Sequence, residues 1–187
     1  MNIANILTLI RLVLVPFFAV SFLYNNYLVA IVIFVVCGIT DFVDGYIARK
    51  YEMVTEFGKL MDPLADKVLQ ITALVLITYK WQIDLIIVVV FGIKELVMLL
   101  GSTFLYRKKV VVFSNWYGKA ATVILFLAII TKIFIEWYMK QNIDPKLIET
   151  LNPIADVGIW VALGVTLIAF AGYLYQFILI VKGNKKI

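Results

Sequence analysis

The sequence contains no histidine and a single cysteine, Cys37, among its 187 residues. Without histidine, neither a Ser-His-Asp triad nor a Cys-His pair can be assembled, and no metal can be held by imidazole. A lone cysteine excludes an internal disulfide and carries no information about the redox compartment, so we interpret Cys37 as a small apolar helix residue. Any metal site must therefore use oxygen ligands, which favours Mg²⁺, Mn²⁺ or Ca²⁺.

Charge is also scarce, because 16% of the residues are charged and 64% are hydrophobic, well above the usual share for a soluble domain. Apolar runs long enough to cross a hydrocarbon core of about 30 Å recur along the whole chain. We predict an all-α integral membrane bundle of six transmembrane helices, forming a single domain over residues 1–187. The predicted helices are 4–23, 27–49, 59–79, 83–106, 117–139 and 154–181.

Two connections carry specific turn signals. The stretch Tyr24-Asn25-Asn26-Tyr27 predicts a tight turn between the first two helices. Asn152 and Pro153 predict the start of the last helix, with Asn152 as the N-cap and Pro153 at the first helical position.

The basic residues predict an orientation in the membrane. They concentrate in the second and fourth connections and at the C-terminus, whereas the other connections are neutral or of mixed charge. The positive-inside rule therefore predicts a multi-pass protein of the cytoplasmic membrane with both termini in the cytoplasm. The net charge of +5 is explained by this bias and by anionic lipid, without nucleic acid. The residues concerned are Arg49, Lys50, Lys59, Arg107, Lys108, Lys109, Lys182, Lys185 and Lys186.

The most informative feature is a set of four aspartates on the second and third predicted helices. Asp41 and Asp44 are three residues apart and share one helix face, and Asp62 and Asp66, four residues apart, do the same. A short connection makes these helices antiparallel neighbours, so the four carboxylates are expected to converge at the cytoplasmic face. Four like charges there are costly unless divalent cations neutralise them, which predicts a metal site.

Small and basic residues accompany the aspartates. Gly45 and Gly58 allow a ligand or a backbone to approach closely. Ala48 lies one turn after Asp44, and Arg49 beside it can neutralise a phosphate. Two other interpretations are solvated charges at helix ends and an ion-coupled transporter. We disfavour both, because the faces are matched and the carboxylates gather at one membrane surface instead of the midplane.

Residues 41–66 resemble the signature of the CDP-alcohol phosphotransferase family, D-x2-D-G-x2-A-R-x8-G-x3-D-x3-D, at every fixed position. The resemblance implies six membrane spans, a homodimer, and transfer of a phosphatidyl group from CDP-diacylglycerol to a hydroxyl with release of CMP, a step of phospholipid biosynthesis. It implies Mg²⁺ or Mn²⁺, as two ions, held by Asp41, Asp44, Asp62 and Asp66. Asp66 would also be the general base, and the CDP moiety would contact Asp41, Gly45, Ala48, Arg49, Gly58 and Asp62.

The acceptor alcohol is predicted from weaker signals. The N-terminal stretch NIANILTLIRLVLVP resembles bacterial phosphatidylglycerophosphate synthases, which use glycerol 3-phosphate. We interpret its Asn5, Thr8 and Arg11 as interfacial anchors, with a role at the acceptor as the alternative. Lys94, next to Glu95 inside the fourth helix, and Lys119 are the candidates for binding an acceptor phosphate.

Several positions depart from the glycerophosphate-using pattern. That pattern has an Arg-Glu pair in the fourth helix, an arginine eight residues later and a G-K-x-K-T run. Here Lys94, Ser102 and Ala121 stand at three of the four basic positions, and Lys119 matches the fourth. CMP-forming cardiolipin synthases, which use phosphatidylglycerol, also resemble this sequence and are the alternative. Intramembrane prenyltransferases share paired aspartates and Mg²⁺, but they need more spans and lack the D-G-x2-A-R run.

Overall fold

The computed structural model describes residues 3–50, 56–107, 116–141 and 145–181. All regular secondary structure in these ranges is helical, which confirms the predicted all-α class for them. Successive helices are joined by short connections and pack into one bundle. The six helices are α1 (Ile3–Leu23), α2 (Tyr27–Lys50), α3 (Glu56–Trp81), α4 (Leu85–Arg107), α5 (Trp116–Gln141) and α6 (Pro145–Val181).

The packing order places α1 at the centre of the motif-bearing half. Helix α1 packs against both α2 and α3, α2 also packs against α5, and α3 continues to α4. Helix α6 closes the arrangement against α5 and α4. We call the end at which α2 ends and α3 begins the motif end. The far end is the opposite one, at residues 24–26 and 82–84.

The core is apolar and rich in aromatic rings. Phe18, Phe22 and Phe34 are fully buried, and Phe34 stacks on Phe126 of α5 with 4.7 Å between ring centroids. Gly38 lies beside that ring, because a Cβ added to Gly38 would come within 2.3 Å of Phe126 Cζ. Helix α2 is therefore held close to α5 one turn before the motif begins.

The outer surface of the bundle is also apolar, as expected for a protein surrounded by lipid. Large side chains such as Phe17, Leu96 and Ile168 are mainly exposed. Two stretches, Gly118–Gln141 in α5 and Glu149–Ile180 in α6, are long and apolar enough to cross a membrane. Shorter apolar stretches lie in α1 and α2, at Leu7–Leu23 and Tyr27–Asp41.

The first turn has the predicted form. Residues 24–26 connect α1 to α2, and Asn25 has a φ of 64°, a left-handed conformation that asparagine tolerates better than most residues. Asn26 N–H donates to Ser21 O at 2.9 Å and Asn25 N–H to Phe22 O at 3.1 Å, so the turn satisfies carbonyls at the end of α1.

The predicted start of the last helix is wrong. Helix α6 begins at Pro145, nine residues before the predicted boundary, and Pro153 lies inside the helix. Proline is favoured at the first helical position, but Pro145 occupies that position and Pro153 does not. Asn152 is not an N-cap, because its Oδ1 accepts a hydrogen bond from Lys132 Nζ at 3.1 Å. The other five predicted helices agree with the structure within three residues at each boundary.

The far end is tied to the C-terminus of α1 by two lysines. Lys80 Nζ of α3 donates to the carbonyl oxygens of Phe22 and Leu23 at 3.1 and 3.2 Å. Lys140 Nζ of α5 donates to the carbonyl oxygen of Asn25 at 3.4 Å. The last carbonyls of a helix lack partners within that helix, and cations interact favourably with its C-terminal dipole. Three helices are thereby joined through one helix end.

A buried cation joins the far-end halves of α5 and α6. Lys132 is 1% exposed, and its Nζ lies 2.7 Å from Asp156 Oδ1 and 2.9 Å from Glu136 Oε1. The same ammonium lies 5.3 Å from the centroid of the Trp81 ring of α3. A charge this deeply buried is tolerated because several opposite charges and dipoles surround it.

Candidate active site

The motif is divided between two packed helices. Helix α2 carries its first half and α3 its second half, and α2, α3 and α1 all pack against one another. The helical spacing that underlies each aspartate pair is therefore confirmed for the backbone. The surroundings of seven motif residues lie outside the described part, so the convergence of four carboxylates remains a prediction. These residues are Asp44, Gly45, Ala48, Arg49, Gly58, Asp62 and Asp66.

Asp41 is the motif carboxylate that the structure describes in detail. Its side chain is 41% exposed, and its Oδ1 accepts a charge-assisted hydrogen bond from Arg11 Nη1 at 2.8 Å. Arg11 belongs to α1, outside the motif, and is 1% exposed. A guanidinium is always charged, so Arg11 places a permanent positive charge beside the first motif carboxylate.

The interpretation of the N-terminal polar residues as interfacial anchors is wrong for Thr8 and Arg11. An interfacial anchor holds its polar group at the boundary between lipid and water. Thr8 and Arg11 are each 1% exposed and face the interior of the bundle. They lie three residues apart, on one face of α1, so this face is a polar face directed at α2 and α3. The side chain of Asn5 lies outside the described part.

A second charged cluster joins α3 to α4. Lys94 and Glu95 are both 6% exposed, and Lys94 Nζ forms an ion pair with Glu95 Oε1. Lys67 Nζ lies 3.4 Å from the same carboxylate oxygen. Glu95 therefore contacts two cations, and one of them, Lys67, directly follows Asp66 in the sequence of α3. Lys94 Nζ also lies 4.9 Å from the centroid of the Phe91 ring.

Lys67 is absent from the predicted set of acceptor-binding residues. Its signal in the sequence is a lysine that directly follows Asp66 and precedes the apolar part of α3. Such a lysine is also compatible with an interfacial position, and only the packing of α3 on α4 brings it to Glu95. The buried contact therefore depends on tertiary structure.

Lys119, the other predicted acceptor residue, has an exposed side chain near the start of α5. No contact in the described part joins it to the cluster of Lys67, Lys94 and Glu95, so its role remains a prediction. Arg107 ends α4, and its side chain, together with Lys108 and Lys109, lies outside the described part.

The metal prediction depends on residues that are only partly described. Within the described ranges, no three acidic, histidine or cysteine residues lie close enough together to hold a metal ion. The chemistry of the motif still fits a hard divalent cation, because all four candidate ligands are carboxylates and Asp41 is partly exposed at the motif end. Carboxylates that bind metals are commonly oriented by a further hydrogen bond, and the Asp41 carboxylate accepts one from Arg11.

An apolar cavity of about 390 Å³ lies between α4 and α6. Its lining is aliphatic and aromatic, and Gly101, two turns after Lys94 on α4, leaves room for Tyr173. Such a lining accommodates hydrocarbon and not a charged headgroup. The lining residues are Val97, Leu100, Gly101, Tyr173, Leu174 and Phe177.

A sequence profile of one protein family covers nearly the entire chain. The CDP-alcohol phosphatidyltransferase profile matches residues 1–181. The chain belongs to this family. Membership confirms the resemblance carried by the motif, and it identifies the chain as a member of a family of membrane transferases.

Curated relatives narrow the comparison within the family. Three of them carry the name CDP-diacylglycerol--glycerol-3-phosphate 3-phosphatidyltransferase. The Haemophilus influenzae protein is 36% identical, with 68% of this chain aligned to 73% of the relative. The Rickettsia bellii protein is 32% identical over 93% of both chains. The Bacillus subtilis protein is 30% identical, with 90% of this chain aligned to 91% of the relative.

Proposed function

We propose that this protein transfers the phosphatidyl group of CDP-diacylglycerol to glycerol 3-phosphate and releases CMP, as a step of phospholipid biosynthesis. The observation that carries the proposal is the complete motif in a chain that aligns over nearly its full length with relatives named for this reaction. The two lysines that meet at Glu95, Lys67 and Lys94, support an acceptor that bears a phosphate.

The donor site is proposed to lie at the motif end. Asp41, Asp44, Asp62 and Asp66 would hold one or two Mg²⁺ or Mn²⁺ ions, and Gly45, Ala48, Arg49 and Gly58 would contact the CDP moiety together with Asp41 and Asp62. A divalent cation held by these carboxylates would supply Lewis-acid polarisation of the phosphoryl oxygens and would stabilise the negative charge of the departing CMP. Arg49 adds a fixed positive charge that can pair with a diphosphate oxygen.

Asp66 is proposed as the general base. The glycerol 3-phosphate hydroxyl attacks the phosphorus that is bonded to diacylglycerol, and the bond from that phosphorus to the CMP oxygen breaks. The hydroxyl proton passes to the Asp66 carboxylate. In a chain with no histidine, a carboxylate is the side chain best suited to accept this proton.

The acceptor phosphate is proposed to bind at Lys94, with Lys67 beside it and Lys119 as a further contact. Glu95 contacts both Lys67 and Lys94 through one oxygen, so it holds the two ammonium groups near each other. The free-energy cost of burying an ammonium group is lower when a carboxylate lies beside it. Both lysines are thereby held at the position where the acceptor phosphate is proposed to bind.

The membrane arrangement is proposed to be six spans with the motif end and both termini in the cytoplasm, as a homodimer in the cytoplasmic membrane. The basic residues of the second and fourth connections support this orientation. It places the donor site at the face where water-soluble glycerol 3-phosphate is available, while the acyl chains remain in the bilayer.

The test is CMP release by the purified protein in lipid nanodiscs containing CDP-diacylglycerol and Mg²⁺ or Mn²⁺. We expect CMP to be released when glycerol 3-phosphate is the acceptor. An equal amount of a lipid product that bears a phosphate monoester should form. CMP with phosphatidylglycerol but not with glycerol 3-phosphate would identify a cardiolipin synthase instead. Absence of CMP with every acceptor would contradict the transferase, and ion flux across vesicles would then favour a transporter.

A further inference from the structure

Arg11 occupies an unusual position for a charged side chain. It lies in the apolar helix α1, is 1% exposed, and donates from Nη1 to Asp41 Oδ1 at 2.8 Å. Burying a guanidinium costs several kcal/mol by order of magnitude unless a partner compensates for the lost hydration. Here the ion-pair partner is itself a motif residue and is the more exposed of the two, with 41% of its side chain accessible.

The contact fixes Asp41 from a helix that carries no part of the motif. The α2 backbone is already held one turn earlier, where Gly38 lies against the Phe126 ring of α5. Thr40, next to Asp41, donates back to the carbonyl oxygen of Cys37 at 3.3 Å. The backbone is therefore held by α5 and by its own helix, and the carboxylate is held by α1. This arrangement restricts the rotamers of Asp41.

We propose that Arg11 is a positioning residue for the motif, which holds the Asp41 carboxylate in the orientation needed to bind a divalent cation. The proposal rests on the proposed function, because it assumes that Asp41 is a metal ligand. Hydrogen-bond partners of metal ligands commonly change metal affinity about 10- to 100-fold when they are removed. Arg11 is assigned this supporting role and no contact with substrate.

The direction of the change in metal affinity distinguishes a positioning role of Arg11 from electrostatic repulsion of the metal. A nearby positive charge repels a divalent cation, so deleting it should tighten metal binding if electrostatic repulsion were its main effect. Deleting a positioning contact should weaken binding, because Asp41 would then sample rotamers that do not bind. The two effects have opposite directions, and a binding measurement separates them.

The experiment measures Mn²⁺ binding to the purified protein in detergent, without substrates, from the electron paramagnetic resonance signal of free Mn²⁺. We expect Arg11→Gln to weaken Mn²⁺ binding about 10- to 100-fold. Arg11→Lys retains the charge but not the geometry of the guanidinium, and we expect an intermediate affinity. Unchanged or tighter binding in Arg11→Gln would overturn the proposal. If Arg11→Gln does not fold, Arg11→Lys alone decides, and an affinity within twofold of the parent would overturn the proposal.

Lys132→Met is the matched control, because Lys132 is an equally buried cation at the far end. It should lose stability but keep the Mn²⁺ affinity of the parent, and an equal loss of affinity in this control would overturn the proposal. The double variant Arg11→Gln with Asp41→Asn should bind Mn²⁺ no more weakly than Asp41→Asn alone; a further loss would also overturn it. None of these readouts requires CMP release, so failure of the proposed reaction and failure of this inference are distinguishable.

Discussion

At the residue scale, the candidate site combines carboxylates of the motif with cations from other positions. Arg11 pairs with Asp41, and Lys67 and Lys94 share the carboxylate of Glu95. Acceptor phosphate binding is therefore assigned to other side chains than metal ligation and proton transfer, which share Asp66. This separation means that single substitutions should affect different kinetic parameters.

Substitution of the proposed base should affect turnover more than donor binding. Asp66→Asn retains the size and polarity of the side chain but does not accept a proton, so we expect the rate of CMP release to fall by about 10²- to 10⁴-fold. Binding of CDP-diacylglycerol, measured by calorimetry, should remain within a few-fold of the parent. Asp84→Asn, in the exposed connection between α3 and α4, is the control and should retain activity. Retained turnover in Asp66→Asn would contradict its role as base.

Substitution of Lys94 should affect the acceptor. Lys94→Met removes a charged phosphate contact, and the loss of about 1.5–3 kcal/mol that such contacts represent would raise the KM for glycerol 3-phosphate about 10- to 100-fold. The KM for CDP-diacylglycerol should be unchanged. Lys94→Arg should preserve or improve acceptor binding, because a guanidinium can bind phosphate through two parallel hydrogen bonds. Equal rises in both KM values would contradict the assignment.

The sequence predicts some of these residues and not their contacts. The aspartate spacing predicts which side chains share a helix face. The position of Lys94 beside Glu95 inside an apolar helix indicates a functional charge, and the structure places Lys94 in the interior. It does not predict that Arg11 is buried against Asp41, thirty residues away along the chain. An arginine near the start of an apolar helix is equally compatible with the interface, and only the packing of α1 on α2 and α3 decides between the two positions.

At the element scale, a contact with a charged residue of α5 explains where α6 begins. Local signals favour a start at Pro153, yet the helix continues through it from Pro145. Asn152 and Asp156 lie one turn apart on α6, and both contact Lys132 of α5. This tertiary contact requires residues 152–156 to be helical already, which is why capping preferences alone predict the wrong boundary.

Loss of the buried Lys132 cation should weaken the packing of α5 on α6. Lys132→Met leaves Glu136 and Asp156 without their buried partner, and we expect a loss of about 3–5 kcal/mol in the free energy of unfolding. Chemical denaturation in mixed micelles, followed by circular dichroism, measures this change. Thr131→Ala, an exposed neighbour on α5, should change it by less than about 0.5 kcal/mol.

The triple variant of Lys132→Met with Glu136→Gln and Asp156→Asn should recover part of that stability, because it removes the uncompensated negative charges. A stability for Lys132→Met equal to that of Thr131→Ala would contradict the assigned role of the cluster.

At the scale of the whole molecule, the proposed topology makes opposite predictions for the two ends. In a chain whose buried Cys37 is replaced by alanine, single cysteines can be introduced by Asn26→Cys at the far end and by Ser114→Cys in the fourth connection. A membrane-impermeant maleimide applied to intact cells should label Asn26→Cys only. Ser114→Cys should react after the membrane is opened. The reverse pattern would invert the orientation, and labelling of both in intact cells would contradict the six-span arrangement.

The lysines that join three helices at the far end also restrict the movement of these helices relative to one another at that end. Lys80 and Lys140 hold α3 and α5 to the end of α1, and Lys132 holds α6 to α5 on the same side. These contacts hold the helices together at the end opposite the motif. We therefore expect CDP-diacylglycerol to enter sideways, from the bilayer, at the motif end and not at the far end. The bilayer would then be the route of the lipid donor and of the lipid product, whereas glycerol 3-phosphate and CMP exchange with water at the motif end.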